Sequence, residues 1–129
     1  MILVDSSVWI DHFRNVETEA VGKLRSIERE ERLRMADLIR LELLIGSRDD
    51  AHAAAINRRL KSIPEVRLLD GVSIDECATN YRVLRSKGVK IRKSIDIIIG
   101  SFCIRNDYLL LHDDRDFTAM ATHLDLKVY

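Results

Sequence analysis

Two short runs, Ile2-Leu3-Val4 and Leu109-Leu110-Leu111, are apolar at every position, and each meets an acid within three residues, Asp5 and Asp114. A strand with one face in water alternates apolar and polar residues. A strand that is apolar throughout has both faces covered, as in a parallel sheet between helices. The intervening segments carry helical spacing, as with Ala20, Val21, Leu24 and Ile27 on one stripe within 17–32. The pattern predicts strands at 2–4, 33–36, 66–69, 108–111 and 126–128. It predicts helices from near Val8, over 17–32, from Asp37 to Gly46, and over 51–61, 73–86, 94–106 and 117–123. Ser6 and Ser7, Asp37 and Ser94 are the expected N-caps, and Gly46 the expected C-terminal stop. The expected class is α/β, a parallel sheet wrapped in helices, in one domain across 1–129. No repeat, low-complexity stretch or linker interrupts it.

Four acids occupy places where such a fold puts apolar side chains. Asp5 closes the first strand, Glu42 falls on its helix wheel between Leu38, Ile39 and Ile45, Asp96 sits inside Ile95-Asp96-Ile97-Ile98-Ile99, and Asp114 follows the late strand. A glutamate on an apolar face costs several kcal/mol unless neutralised. Each acid has a structural alternative. Asp5 can cap a helix, Asp96 can complement a helix dipole, and Asp114 can be a solvated turn residue; Glu42 has the poorest such account. In an open parallel sheet the carboxyl ends of strands form the ligand crevice, which would bring the four together. Two carboxylates ~5 Å apart repel by roughly 3 kcal/mol at an effective dielectric near 20. A shared divalent cation is the simplest remedy, and an all-oxygen donor set favours Mg²⁺, with Mn²⁺ as substitute, over zinc. Gly100, one turn beyond Asp96, is expected to leave free space beside that carboxylate.

Composition bounds the alternatives. The chain is 47% hydrophobic and 33% charged with one proline, as ordered globular proteins are. Its 21 basic and 21 acidic residues cancel, so nucleic-acid binding cannot be argued from global charge. Cys77 and Cys103 have no CxxC spacing and read as reduced core thiols. No apolar run approaches the ~20 residues of a membrane span, and the N-terminus lacks a basic leader, so a soluble, cytoplasmic protein is expected.

The segments Ile2-Leu3-Val4-Asp5-Ser6-Ser7-Val8-Trp9-Ile10, Glu42-Leu43-Leu44-Ile45-Gly46, Ser94-Ile95-Asp96-Ile97-Ile98-Ile99-Gly100 and Asp113-Asp114-Arg115-Asp116-Phe117, in this order, resemble the PIN-domain ribonucleases. The resemblance is to the VapC-type toxins of toxin–antitoxin pairs, and it spans essentially the whole chain. It implies a three-layer α/β/α fold with a central parallel sheet. It implies a Mg²⁺-dependent endoribonuclease site of Asp5, Glu42, Asp96 and Asp114, with metal on Asp5, Asp96 and Asp114 and secondary help from Asp116. Products with a 5′-phosphate and a 3′-hydroxyl, a VapB-type antitoxin partner and a homodimer also follow from it. Two departures stand out: Ser6 replaces a more usual threonine, and His112 replaces a small hydroxyl residue ahead of the acidic turn.

An acidic site that handles a polyanion needs cations nearby. Arg82, Arg85, Lys87, Lys90, Arg92 and Lys93 form a run without an acid, leading straight into the Asp96 helix. This run is the candidate RNA-backbone clamp, with an ordinary solvated loop as the alternative. Trp9 reads as core rather than a stacking platform, and His12, His52 and His123 as surface or boundary residues. Two other functions fit parts of the pattern. A phosphoacceptor receiver domain also gathers acids at strand ends but needs paired acids after its first strand and leaves Glu42 unexplained. A non-catalytic RNA-binding module accepts the basic run and gives the buried acids no purpose.

Overall fold

The computed structural model describes residues 1–129. Its centre is a four-stranded sheet in the order β3-β2-β1-β4, parallel throughout. The strands are β1 (Ile2–Val4), β2 (Leu33–Ala36), β3 (Glu65–Val66) and β4 (Leu109–Leu111). Ile2 pairs with both Leu33 and Leu109, so β1 is interior, and all three of its residues are buried. That is the physical meaning of its unbroken apolar run.

Eight helices cover the sheet: α1 (Ser6–Phe13), α2 (Glu19–Ile27), α3 (Asp37–Ile45), α4 (Asp50–Leu60), α5 (Leu68–Gly71), α6 (Ile74–Ser86), α7 (Ser94–Asn106) and α8 (Arg115–Leu124). They fall into two packed groups, one linking α1 to α2 and α3 and α3 to α4, the other joining α5, α6 and α8 to α7. The architecture is three-layered, α/β/α, as the apolar strands predict. The core is one cluster in which Phe117, Ile2, Leu24, Leu60, Leu84 and Ile99 are fully buried. Trp9, at 2% exposure, belongs to it. α7 is buried along seven of its positions from Asp96 to Cys103, which explains why its sequence is apolar nearly all round.

Several local expectations differ from the structure. Asp5, not Ser6 or Ser7, is the N-cap of α1 and accepts from the Ser7 N–H. α3 begins at Asp37 itself, whose carboxylate accepts from the N–H groups of Leu38 and Leu68 and so ties α3 to α5. That long-range bond draws 68–71 into a helical turn, leaving β3 with only Glu65–Val66. Ser94 lies inside α7, whose first turn has no side-chain cap. Gly46 ends α3 at φ −76°, without a left-handed turn. The last strand shrinks to a single bridge between Leu110 and Val128. Cys77 and Cys103 are free and buried, as expected. No helix is long and apolar enough to cross a membrane.

Candidate active site

The order β3-β2-β1-β4 makes the chain wind outward from β1 to β3 and return to β1's other edge as β4. The crevice at such a reversal opens between the carboxyl ends of the two strands concerned, here β1 and β4. Asp5 stands at the end of β1, and Asp113 and Asp114 follow β4. The Asp5 N–H donates to the Leu111 carbonyl at 2.9 Å, locking the two strand ends together.

Asp5 is buried, at 3% exposure. Its Oδ2 accepts from the Ser7 N–H at 3.1 Å and the Ser7 hydroxyl at 2.6 Å, while its Oδ1 has no partner. Ser7 Oγ in turn accepts from the Asp113 N–H at 3.4 Å, bridging α1 to the acidic turn. Ser6 Oγ donates to Glu42 Oε2 at 3.4 Å, and Glu42 Oε1 is buried and unpartnered. The two hydroxyls of Asp5-Ser6-Ser7 therefore serve two different carboxylates rather than a helix cap. Sequence reading missed that role, although an acid-hydroxyl-hydroxyl triplet at a strand end was the available signal.

Asp96, in the first turn of α7, is 3% exposed, and its Oδ2 also lacks a partner. Burial pushes its carboxyl up to about 7, with the nearby charge of Asp5 next in effect and those of Asp114 and Glu42 adding. Burial likewise raises Glu42, again reinforced by Asp5. The positive charge of Lys93, just ahead of α7, opposes both shifts. These mutual effects place Asp5, Glu42 and Asp96 in one electrostatic neighbourhood.

Asp114 caps α8, accepting from the Asp116 N–H at 2.9 Å. Asp116 is buried, at 5% exposure. One carboxylate oxygen each from Asp96, Asp114 and Asp116 lie within 4.8 Å of one another. Asp116, expected in a secondary position, is thus a full member of the closest acidic triad, while Asp5, expected as a primary ligand, lies outside it at the neighbouring strand end and acts on Asp96 through its charge. Three orphaned buried oxygens, one on Asp96 within the triad and the others on Asp5 and Glu42, fit a hard cation in the way expected of all-oxygen donors.

Gly100 does not leave space beside Asp96. A Cβ there would come within 2.3 Å of the Met120 sulfur, so the glycine admits Met120 of α8 against α7. His112 accepts from the Asp114 N–H through Nδ1 at 3.1 Å and lies against Phe117, and burial lowers its pKa. A neutral imidazole therefore supplies an acceptor to the acidic turn.

The basic run divides. Arg92 contacts Asp114 and Asp116, and the charge of Lys93 favours the ionised forms of Glu42 and Asp96. Arg82 donates to Thr79, and the Arg85 guanidinium stands 5.9 Å from the centre of the Tyr81 ring. Arg82, Arg85 and Arg92 line one cleft between α6 and α7. Lys87 and Lys90 are exposed on the connecting turn.

Residues 2–122 match the PIN domain family. The chain belongs to the PIN-domain family. It is 30% identical over 129 residues to VapC ribonuclease Mb1587 of Mycobacterium bovis, and equally to Ribonuclease VapC11 of Mycobacterium tuberculosis, covering 98% of this chain and 96% of each relative. Among solved structures it is similar to VapBC2 from Rickettsia felis bound to a promoter DNA fragment, with a TM-score of 0.73, 14% identity and coverage of 100% and 98% of the two chains. It is also similar to FitAcB from Neisseria gonorrhoeae, with a TM-score of 0.72, 18% identity and coverage of 100% and 96%. At those identities the structures speak for the fold, which is the PIN fold. Membership of this family leaves the receiver-domain alternative without support.

Proposed function

We propose that this single-domain PIN protein is a VapC-type toxin, an endoribonuclease that hydrolyses RNA phosphodiester bonds with a divalent cation held by Asp5, Asp96, Asp114 and Asp116. One observation carries the reading. Asp5, Glu42 and Asp96 each bury a carboxylate oxygen with no hydrogen-bond partner at the end of the sheet. Unpaired buried carboxylates are strongly unfavourable, and a bound cation relieves them together. The names of the Mycobacterium relatives, aligned over nearly the whole chain, support ribonuclease activity. The donor set supports Mg²⁺, with Mn²⁺ as its substitute.

When bound, the cation supplies Lewis-acid polarisation of the phosphate and a water of lowered pKa. The chain's residues do the rest. Glu42, with one oxygen held by Ser6 and the other free, orients the attacking water and takes its proton. Its raised pKa brings it nearer the working pH, which suits a proton acceptor. Ser7 fixes the rotamer of Asp5 and links it to the Asp113 backbone, keeping both strand ends at constant separation. Arg92, Lys93 and the arginines of α6 attract the RNA backbone. The VapBC assemblies among the structural relatives support a VapB-type antitoxin as partner. An acidic pocket of this kind also favours an arginine from such a partner. A homodimer acting in the cytoplasm completes the proposal.

The test is cleavage of a labelled RNA pool by wild type and Asp96→Asn, each with Mg²⁺ and with EDTA. Cutting by wild type with Mg²⁺ alone is expected. Binding of RNA without cleavage, indifferent to Mg²⁺, would favour a non-catalytic module instead. Equal cutting by both proteins would overturn the acidic site.

A further inference from the structure

Arg92 differs from the other cations of its run, because its guanidinium lies on the acidic triad. Nε donates to Asp116 Oδ2 at 3.4 Å, Nη2 donates to Asp114 Oδ1 at 3.5 Å, and the Arg92 backbone N–H approaches the same Asp116 oxygen at 3.5 Å. These are two of the three acids whose oxygens lie within 4.8 Å of one another. The contacts are at the long limit of hydrogen bonding, and the arginine side chain is 54% exposed. Such a pair is loose and readily exchanged.

We propose that Arg92 is a built-in counter-ion that a divalent cation displaces from Asp114 and Asp116, and that the freed guanidinium then takes an RNA phosphate at the mouth of the adjoining cleft. The inference rests on the function proposed above and assigns one residue a part in both metal and substrate binding. Two facts carry it. First, guanidinium and cation compete for the same two carboxylates, and Asp114 Oδ1 already accepts from the Asp116 N–H. A unit charge ~6 Å from a dication in a water-like dielectric changes its affinity on the order of tenfold. Second, the displaced side chain has a place to go. Arg92 lines a cleft of ≈ 680 Å³ with Arg82 and Arg85, over a floor that includes Ile74, Ile97 and Ile98, and no acid lines it. A cleft with three guanidiniums and no carboxylate is complementary to a phosphate chain, and the planar fork of arginine suits phosphate oxygens.

The experiment measures Mn²⁺ affinity of wild type, Arg92→Gln and Arg92→Lys by titration calorimetry at low ionic strength. It then measures affinity for a phosphorothioate RNA oligonucleotide with saturating Mn²⁺ and with EDTA. Arg92→Gln should bind Mn²⁺ roughly tenfold tighter. The same variant should bind the RNA more weakly in Mn²⁺, with a salt slope smaller by about 0.7, because one phosphate is left without its cation. In EDTA, where Arg92 stays on the acids, the variant and wild type should bind RNA alike, and Arg92→Lys should fall close to wild type throughout. A purely structural role would weaken both kinds of binding together. Unchanged or weaker Mn²⁺ binding by folded Arg92→Gln overturns the inference and leaves the nuclease reading intact. Absence of Mn²⁺ binding by wild type overturns both.

Discussion

The outside of this protein and the end of its sheet treat carboxylates in opposite ways. On the surface, Glu17 meets Arg25 through two hydrogen bonds of 2.7 and 2.9 Å, Glu30 meets Arg32, and Glu65 meets Arg40. Glu17 is held below the usual carboxylate range by the Arg25 hydrogen bonds. At the sheet end, buried Asp5 and Asp96 and half-buried Glu42 each hold one orphaned oxygen, and burial raises Glu42 and Asp96. Water would have screened the surface acids adequately, yet they have cationic partners; the acids at the sheet end each keep one buried oxygen with none. The fold therefore gives up stability at one edge to hold negative charge ready for a cation, while the surface pairs contribute little.

The sharpest way to break this contrast is to remove the charge at its centre. Asp96→Asn, or EDTA added to wild type, should reduce RNA cleavage to background, read by gel with labelled RNA; a folded Asp96→Asn protein that still cuts breaks the account. Glu42→Gln should lower kcat by roughly 10²–10⁴ while weakening Mn²⁺ binding no more than about tenfold, as removal of a proton acceptor and one nearby charge rather than of a ligand does. A loss of metal binding equal to the loss of rate would instead make Glu42 a ligand.

Gly100→Ala separates packing from chemistry one turn away from Asp96. Its new Cβ meets the Met120 sulfur, so stability in urea should fall by about 1–3 kcal/mol. Metal affinity of the remaining folded protein should hold. The smallest effect is expected outside: Glu17→Gln should leave both melting temperature and cleavage indistinguishable from wild type, because the Arg25 pair is exposed.

How far the sequence foretold this arrangement depends on the range of the interaction involved. β1 and β4 were legible because burial on both faces is written into consecutive residues. The acids were legible because charge in an apolar run is a local contradiction. Features made by distant contacts were not. The Asp37 bond to the Leu68 N–H turned an expected strand into α5, and Met120 filled the space that Gly100 seemed to offer Asp96. Asp116, given only a secondary metal role by the resemblance, entered the triad because α8 folds it inward beside Asp96. Arg92 read as one cation among six until the turn before α7 laid it on Asp114 and Asp116.

The most direct test of unneutralised buried charge is the stability of metal-free protein against pH, for wild type and Asp96→Asn. Asp96 titrates at about 7 in the folded chain against 3.8 as its ordinary value, so between these limits the folded state holds the extra proton and stability falls as pH rises. His112, lowered by burial, works the other way, with stability lost as pH falls below its ordinary 6.5. Both proteins carry His112, so the difference between their profiles isolates Asp96. Relative to the variant, wild type should lose up to about 1.4 kcal/mol per pH unit for one proton on the way to pH 7, then level off, and saturating Mg²⁺ should restore it. Asp96→Asn should melt above metal-free wild type at about pH 8, with a flatter pH profile and little gain from Mg²⁺. A variant that melts below wild type and still gains from Mg²⁺ would contradict the account.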